Sequence, residues 1–110
     1  MYYKKLVRDN IPDIIKNNGE EPITRILSDE EYRGELEKKL LEECKEVIES
    51  TGDGRIEELA DLLEVIISLA KISENTLDDV INVCKTKRLK RGAFDKRIYL
   101  EDVQKKWYNW

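Results

Sequence analysis

Residues 55–72 read RIEELADLLEVIISLAKI, and this stretch decides the fold. At about 100° per residue, Ile56, Leu59, Ala60, Leu62, Leu63, Val65, Ile66, Ile67, Leu69 and Ala70 cover most of a helical circumference, which implies a helix buried on several sides. Thr51-Gly52-Asp53-Gly54 breaks the chain just before it. Upstream, Leu36, Leu40, Cys44, Val47 and Ile48 form one apolar stripe of a long helix that runs to about Ser50. That helix opens at Ser28, whose spacing to Glu31 is that of a capping box. So short a connection predicts that the two helices lie antiparallel. Downstream, a turn near 73–76 opens a third long helix ending at Arg91, with Gly92 as a left-handed cap.

The ends of the chain are less regular. Asp9 is placed to cap a short helix with Pro12 in its first turn, stopping at Asn18-Gly19. Residues 3–7 and 22–27 lean toward extended structure, and 97–100 toward a short strand. The expectation is a single mainly all-α domain over 1–110, an antiparallel helical bundle with short extended segments at its N- and C-terminal ends.

Composition narrows the chemistry. The 110 residues hold 24 Asp or Glu, 20 Lys or Arg and no His, for a net charge of −4. Without imidazole there can be no Ser-His-Asp or Cys-His nucleophile, no His-ligated zinc and no Glu-x-x-His di-iron bundle. The two cysteines, Cys44 and Cys84, are too few for a Cys-only zinc site in one chain and read as small buried hydrophobes. No apolar run is long enough for a signal peptide or a membrane span, so the expected location is the cytoplasm. A chain this short buries a core with little to spare, so self-association is expected.

The helical patterns are violated by carboxylates. Glu43 lies about 20° from Leu36 on its wheel, with Glu46 and Lys39 beside it, whereas Glu42 points further toward solvent. On the next helix Glu58 falls between Val65 and Leu69, and Asp61 lies one turn later at the edge of the same arc. An unpaired carboxylate in an apolar face costs several kcal/mol, on the order of a desolvated ion's penalty, so a partner is required. The antiparallel connection brings the Glu43/Glu46 pair opposite the Glu58/Asp61 pair. Oxygen donors without His or Cys suit Mg²⁺ or Mn²⁺, with coordination to spare for water and phosphate. A structural salt-bridge network through Lys39, Lys45 or Arg55 is the other reading.

The third long helix carries the opposite sign. Leu77, Val80, Ile81 and Cys84 define its stripe, and Lys87, Arg88 and Arg91 continue nearly the same line. These cations suit the helix macrodipole; beside an acidic metal site they, like Lys39, also become candidates to neutralise phosphate. A net charge of −4 argues against a nucleic-acid-binding protein as a whole.

Leu40-Leu41-Glu42-Glu43-Cys44-Lys45-Glu46 followed by Glu57-Glu58-Leu59-Ala60-Asp61-Leu62-Leu63-Glu64 resembles the E-E-x-x-E…E-x-x-D signature of the all-α NTP pyrophosphohydrolases, the MazG-type and phosphoribosyl-ATP pyrophosphohydrolase-like superfamily. Tyr3-Lys4-Lys5-Leu6-Val7-Arg8-Asp9-Asn10-Ile11-Pro12 and Lys90-Arg91-Gly92-Ala93-Phe94 look like the ends of its small stand-alone house-cleaning members. The resemblance implies that Glu43, Glu46, Glu58 and Asp61 bind Mg²⁺ and that Lys39 lies near the substrate phosphates. It implies cleavage of the α–β phosphoanhydride of a nucleoside triphosphate to a monophosphate and pyrophosphate, by a homodimer or homotetramer. Within that reading Glu46 or Glu42 accepts the proton of the attacking water. The alternatives are hydrolysis of phosphoribosyl-ATP, which shares the bond and the metal, and a non-catalytic helical interaction module.

Overall fold

In the computed structural model, residues 4–105 are described. Four helices make up the regular structure among them: α1 (Ile11–Asn17), α2 (Asp29–Glu49), α3 (Gly54–Ile72) and α4 (Leu77–Arg91). The all-α expectation holds, and no strand forms among the described residues. The chain divides into two compact units, one through Leu77 and the other from Asp78 onward.

Helix boundaries follow local chemistry closely. Ser28 accepts from the Glu31 backbone N–H at 3.2 Å while the Glu31 carboxylate accepts from the Ser28 backbone N–H at 3.3 Å, closing the predicted capping box. Arg25 grips the same carboxylate through two nitrogens at 2.8 and 3.2 Å. Glu31 is consequently pulled down to about 2, foremost by the Arg25 hydrogen bond and then by the two from Ser28. Ser28→Ala is expected to cost about 1 kcal/mol, seen as a lower melting temperature by circular dichroism at neutral pH. An unchanged melting temperature would mean that the Arg25 grip alone secures the helix start.

Three local expectations are corrected. The residue at the α1 N-cap is Asn10, not Asp9, and its side chain makes no capping bond; Pro12 still occupies the first turn, as its fixed φ favours. Residues 22–27 find no neighbouring strand to complete a ladder, leaving Ile23 and Ile26 exposed. Arg97 adopts φ +55 and its N–H donates to the Phe94 carbonyl at 3.1 Å, so 97–100 begins as a turn. The left-handed cap at Gly92 is present, with φ +81 and its N–H bonded to the Arg88 carbonyl at 2.8 Å.

α2 and α3 pack against each other as an antiparallel hairpin. Gly52 turns the connection with φ +56, a region where glycine carries no side-chain penalty, and Arg55 Nη2 donates to the Ser50 carbonyl at 3.0 Å. Leu36 on α2 and Val65 on α3 are the buried apolar residues, 4% and 7% exposed. Leu40, Cys44, Val47, Leu62, Ile66, Ile67, Leu69 and Ala70 are half-buried around them. Ile48, expected in the stripe of α2, is instead exposed, as are Ile56, Leu59, Ala60 and Leu63 of α3. A helical wheel counts apolar directions but not the neighbours that cover them. Ile56, Leu59, Leu63, Ile66 and Ala70 repeat at three- and four-residue intervals, a second seam beside the one that faces α2.

In the second unit α4 is exposed from Asp78 to Arg91, including Val80, Ile81 and Cys84. Cys84 is therefore a free, exposed thiol rather than a buried one, while Cys44 is free and half-buried. No helix among the described residues is long and apolar enough to cross a membrane. The aromatic tail Trp107-Tyr108-Asn109-Trp110 lies outside the described residues.

Candidate metal-binding site

The site grows out of the register of the hairpin. Glu58 and Asp61 stand one turn apart on α3, so the helix itself places their side chains on neighbouring positions of one face. Glu43 meets them from α2, and one carboxylate oxygen from each of Glu43, Glu58 and Asp61 lies within 4.8 Å of the other two. Oxygens around an octahedral hard cation stand about 3 to 4 Å apart, given metal–oxygen distances of roughly 2.1 Å. Small side-chain rotations close that difference.

Two of the oxygens lack a donor. Glu43 Oε2 and Glu58 Oε2 are cut off from solvent and accept no hydrogen bond. A buried acceptor left this way is unfavourable, and a cation or a proton is what relieves it. Glu46, an exposed residue one turn further along α2 from Glu43, adds its negative charge to both. The Glu43 carboxyl is pushed above the usual carboxylate range, foremost by burial and then by the charges of Glu46 and Asp61, with Lys39 acting in the opposite direction. Glu58 is raised as well, foremost by its hydrogen bonding with the Glu46 carboxyl, then by burial and the neighbouring charges. These are the electrostatics of a concentrated negative site.

A pH dependence follows. Raised carboxyls bind more protons folded than unfolded, so their destabilising effect appears as pH rises from the ordinary value of 4.5 and relaxes as pH falls back toward it. Glu31 works in the reverse sense, losing its contribution as pH falls from 4.5 toward about 2, which leaves the window above 4.5 to the cluster. In the presence of a chelator the melting temperature is expected to rise as pH is lowered from 7 to 5, and Glu43→Gln is expected to flatten that slope. A slope as steep in Glu43→Gln as in the parent would remove the cluster as its source.

The salt-bridge network does not form through the cations expected for it. Lys45 Nζ pairs with Glu49 at 3.9 Å, Arg55 reaches the Ser50 carbonyl, and Lys39 Nζ stands 4.0 Å from Glu42. Glu42 is exposed and thus on the rim, as its wheel position predicts. One cation that does reach a site carboxylate is Arg8, whose Nη2 donates to Asp61 Oδ1 at 2.6 Å across 53 positions of sequence. Helical periodicity carries no trace of such a pairing. The segment around Arg8 matched the resemblance without suggesting a contact.

Of the four carboxylates expected to bind metal, Glu43, Glu58 and Asp61 are thus brought together, whereas Glu46 is exposed and outside that trio, near enough for its charge to act on Glu43 and Glu58, and Lys39 is close enough to favour the ionised form of Glu43. Lys87, Arg88 and Arg91 gather on the last two turns of α4, all exposed. Lys87 and Arg91 line an open depression of that helix with Asn82, Val83, Thr86 and Lys90. From Asp78 to the end the sequence carries nine Lys or Arg against five Asp or Glu, opposite in sign to the chain as a whole.

No protein-family model matches the chain, and no solved structure matches it. An uncharacterized protein of Mycolicibacterium smegmatis is 49% identical over 43 residues, which amount to 39% of this chain and 44% of that protein. The similarity thus spans less than half the length of either.

Proposed function

We propose that the chain is a Mg²⁺-dependent nucleoside triphosphate pyrophosphohydrolase of the MazG-type, phosphoribosyl-ATP pyrophosphohydrolase-like superfamily, with an all-α NTP pyrophosphatase bundle. The observation that carries the reading is the convergence of Glu43, Glu58 and Asp61 oxygens within 4.8 Å, two of the carboxylates having an oxygen sealed from solvent with no donor. That donor set, all oxygen and multiply negative, fits a hard divalent cation, Mg²⁺ or Mn²⁺. Glu43, Glu58 and Asp61 would hold it, with Glu46 beside them. When bound, the ion would offset triphosphate charge and, as a Lewis acid toward the phosphoryl oxygens, make phosphorus more open to attack.

The chain's own residues supply the remainder. Glu46, whose charge bears on both Glu43 and Glu58, accepts a proton from the attacking water; Glu42, paired with Lys39, is less well placed. As the water oxygen bonds to phosphorus in line, the phosphoanhydride bond breaks and pyrophosphate departs with the bonding electrons. Lys39 offsets phosphate charge that the metal leaves uncovered. The open seam of α3 is the surface through which the chain forms a homodimer or homotetramer, checked by sedimentation over a range of concentrations; a monomer at every concentration counts against it.

The test is pyrophosphate release from ordinary, deoxy and modified nucleoside triphosphates and from phosphoribosyl-ATP, with and without Mg²⁺. Metal-dependent release from a triphosphate supports the reading, and release from phosphoribosyl-ATP alone transfers it to the related reaction. No release, combined with salt-sensitive retention of DNA or RNA, would identify a non-catalytic module acting through α4.

A further inference from the structure

We infer that Arg8 controls entry of the divalent cation: its guanidinium competes with the metal for the Asp61 carboxylate, and an incoming triphosphate frees Asp61 by giving Arg8 an anion of its own. The inference rests on the metal-dependent reading above and assigns the regulation of that same site.

The placement of Arg8 supports both halves of this exchange. Its backbone is fixed, since the Arg8 carbonyl accepts from the Ile11 N–H at 3.1 Å where the chain enters α1. Its side chain is not enclosed: it is 60% exposed and the Asp61 side chain 44% exposed. The contact at 2.6 Å is short and charge-assisted, yet an ion pair this open to water is worth little net free energy. Arg8 is therefore a competitor that a divalent ion can displace, not a permanent lock. Within the cluster it is also selective, for Glu43 and Glu58 each present a buried oxygen without a donor whereas Asp61 has one. Once displaced, a guanidinium tethered at the rim suits phosphate oxygens, which it binds through paired N–H groups.

A different role is available to the same contact: Arg8 could simply staple the segment before α1 onto α3. The two roles give opposite signs for one substitution. If Arg8 competes with the metal and then binds phosphate, Arg8→Gln must tighten metal binding and weaken nucleotide binding. A staple, once removed, loosens the site toward both ligands.

The experiment titrates Mn²⁺ alone into the full chain by calorimetry or by electron paramagnetic resonance, then titrates a non-hydrolysable triphosphate analogue at saturating Mn²⁺. For Arg8→Gln the expected outcome is Mn²⁺ affinity raised about threefold, the worth of an exposed ion pair, and analogue affinity lowered about threefold or more. Arg8→Lys, which keeps the charge but not the fork, should stay near the parent for Mn²⁺ and lose part of the analogue affinity. Unchanged or weaker Mn²⁺ binding in Arg8→Gln, or undiminished analogue binding, overturns the inference. Glu43→Gln separates this failure from that of the site itself. If the parent binds no Mn²⁺, or binds it equally well after Glu43→Gln, the carboxylate site is wrong whatever Arg8 does.

Discussion

If the chain is the proposed pyrophosphohydrolase, Glu43→Gln and Asp61→Asn are each expected to lower Mg²⁺-dependent pyrophosphate release at least about 100-fold, because either replaces a carboxylate proposed to hold the metal with a neutral amide of the same shape. Folding should survive. Glu43 sits in a concentration of like charge with a sealed oxygen that no donor satisfies, so neutralising it removes repulsion rather than support. In the presence of chelator Glu43→Gln should melt at or above the parental temperature. Asp61→Asn gives up the Arg8 ion pair and should melt slightly lower. Loss of activity with retained or increased stability is the signature of a residue kept for its ligand. Near-parental turnover of either variant across a nucleotide panel would remove these carboxylates from the mechanism.

The largest stability effect is expected at Leu36. It is 4% exposed and, with Val65, forms the buried centre of the α2–α3 hairpin. Leu36→Ala deletes buried methyl groups and leaves a cavity that two helices close only in part, a change that costs about 2–5 kcal/mol. Against a total stability of roughly 5–15 kcal/mol for a small domain, that is a large share and should lower the melting temperature by about 8 °C or more, at about 4–8 °C per kcal/mol. Ile48→Ala is the control. It belongs to the same stripe in sequence but is 77% exposed, so its effect should stay within about 0.5 kcal/mol. Similar losses at both positions would mean that Ile48 is covered in solution by a neighbouring chain.

What the sequence discloses here depends on range. The limits of α2, α3 and α4 are written in neighbouring residues: the Ser28–Glu31 box, the Gly52 turn and the Gly92 cap. The convergence of Glu43 with Glu58 and Asp61 is legible for a related reason, since a short connection and a 3.6-residue period fix which faces of two consecutive helices meet. The Arg8–Asp61 pair spans 53 positions and leaves no periodic mark. The short strand expected over 97–100 fails because a strand is defined by a neighbour, which β-propensity in one segment does not supply. The wheel of α3 likewise reads its apolar breadth correctly, but not how much of it one chain covers.

All three converging carboxylates fall between positions 43 and 61, inside one helical hairpin. A hairpin is a low-contact-order element that closes early when a chain collapses, so mutual repulsion is met at the start of folding rather than at its end. Divalent salt should therefore act on the folding arm of a chevron plot, whereas the tether from the distant N-terminal segment, formed later, should register in the unfolding arm. The same acidic residues proposed to hold a cation in the finished protein would then also influence how fast that protein folds.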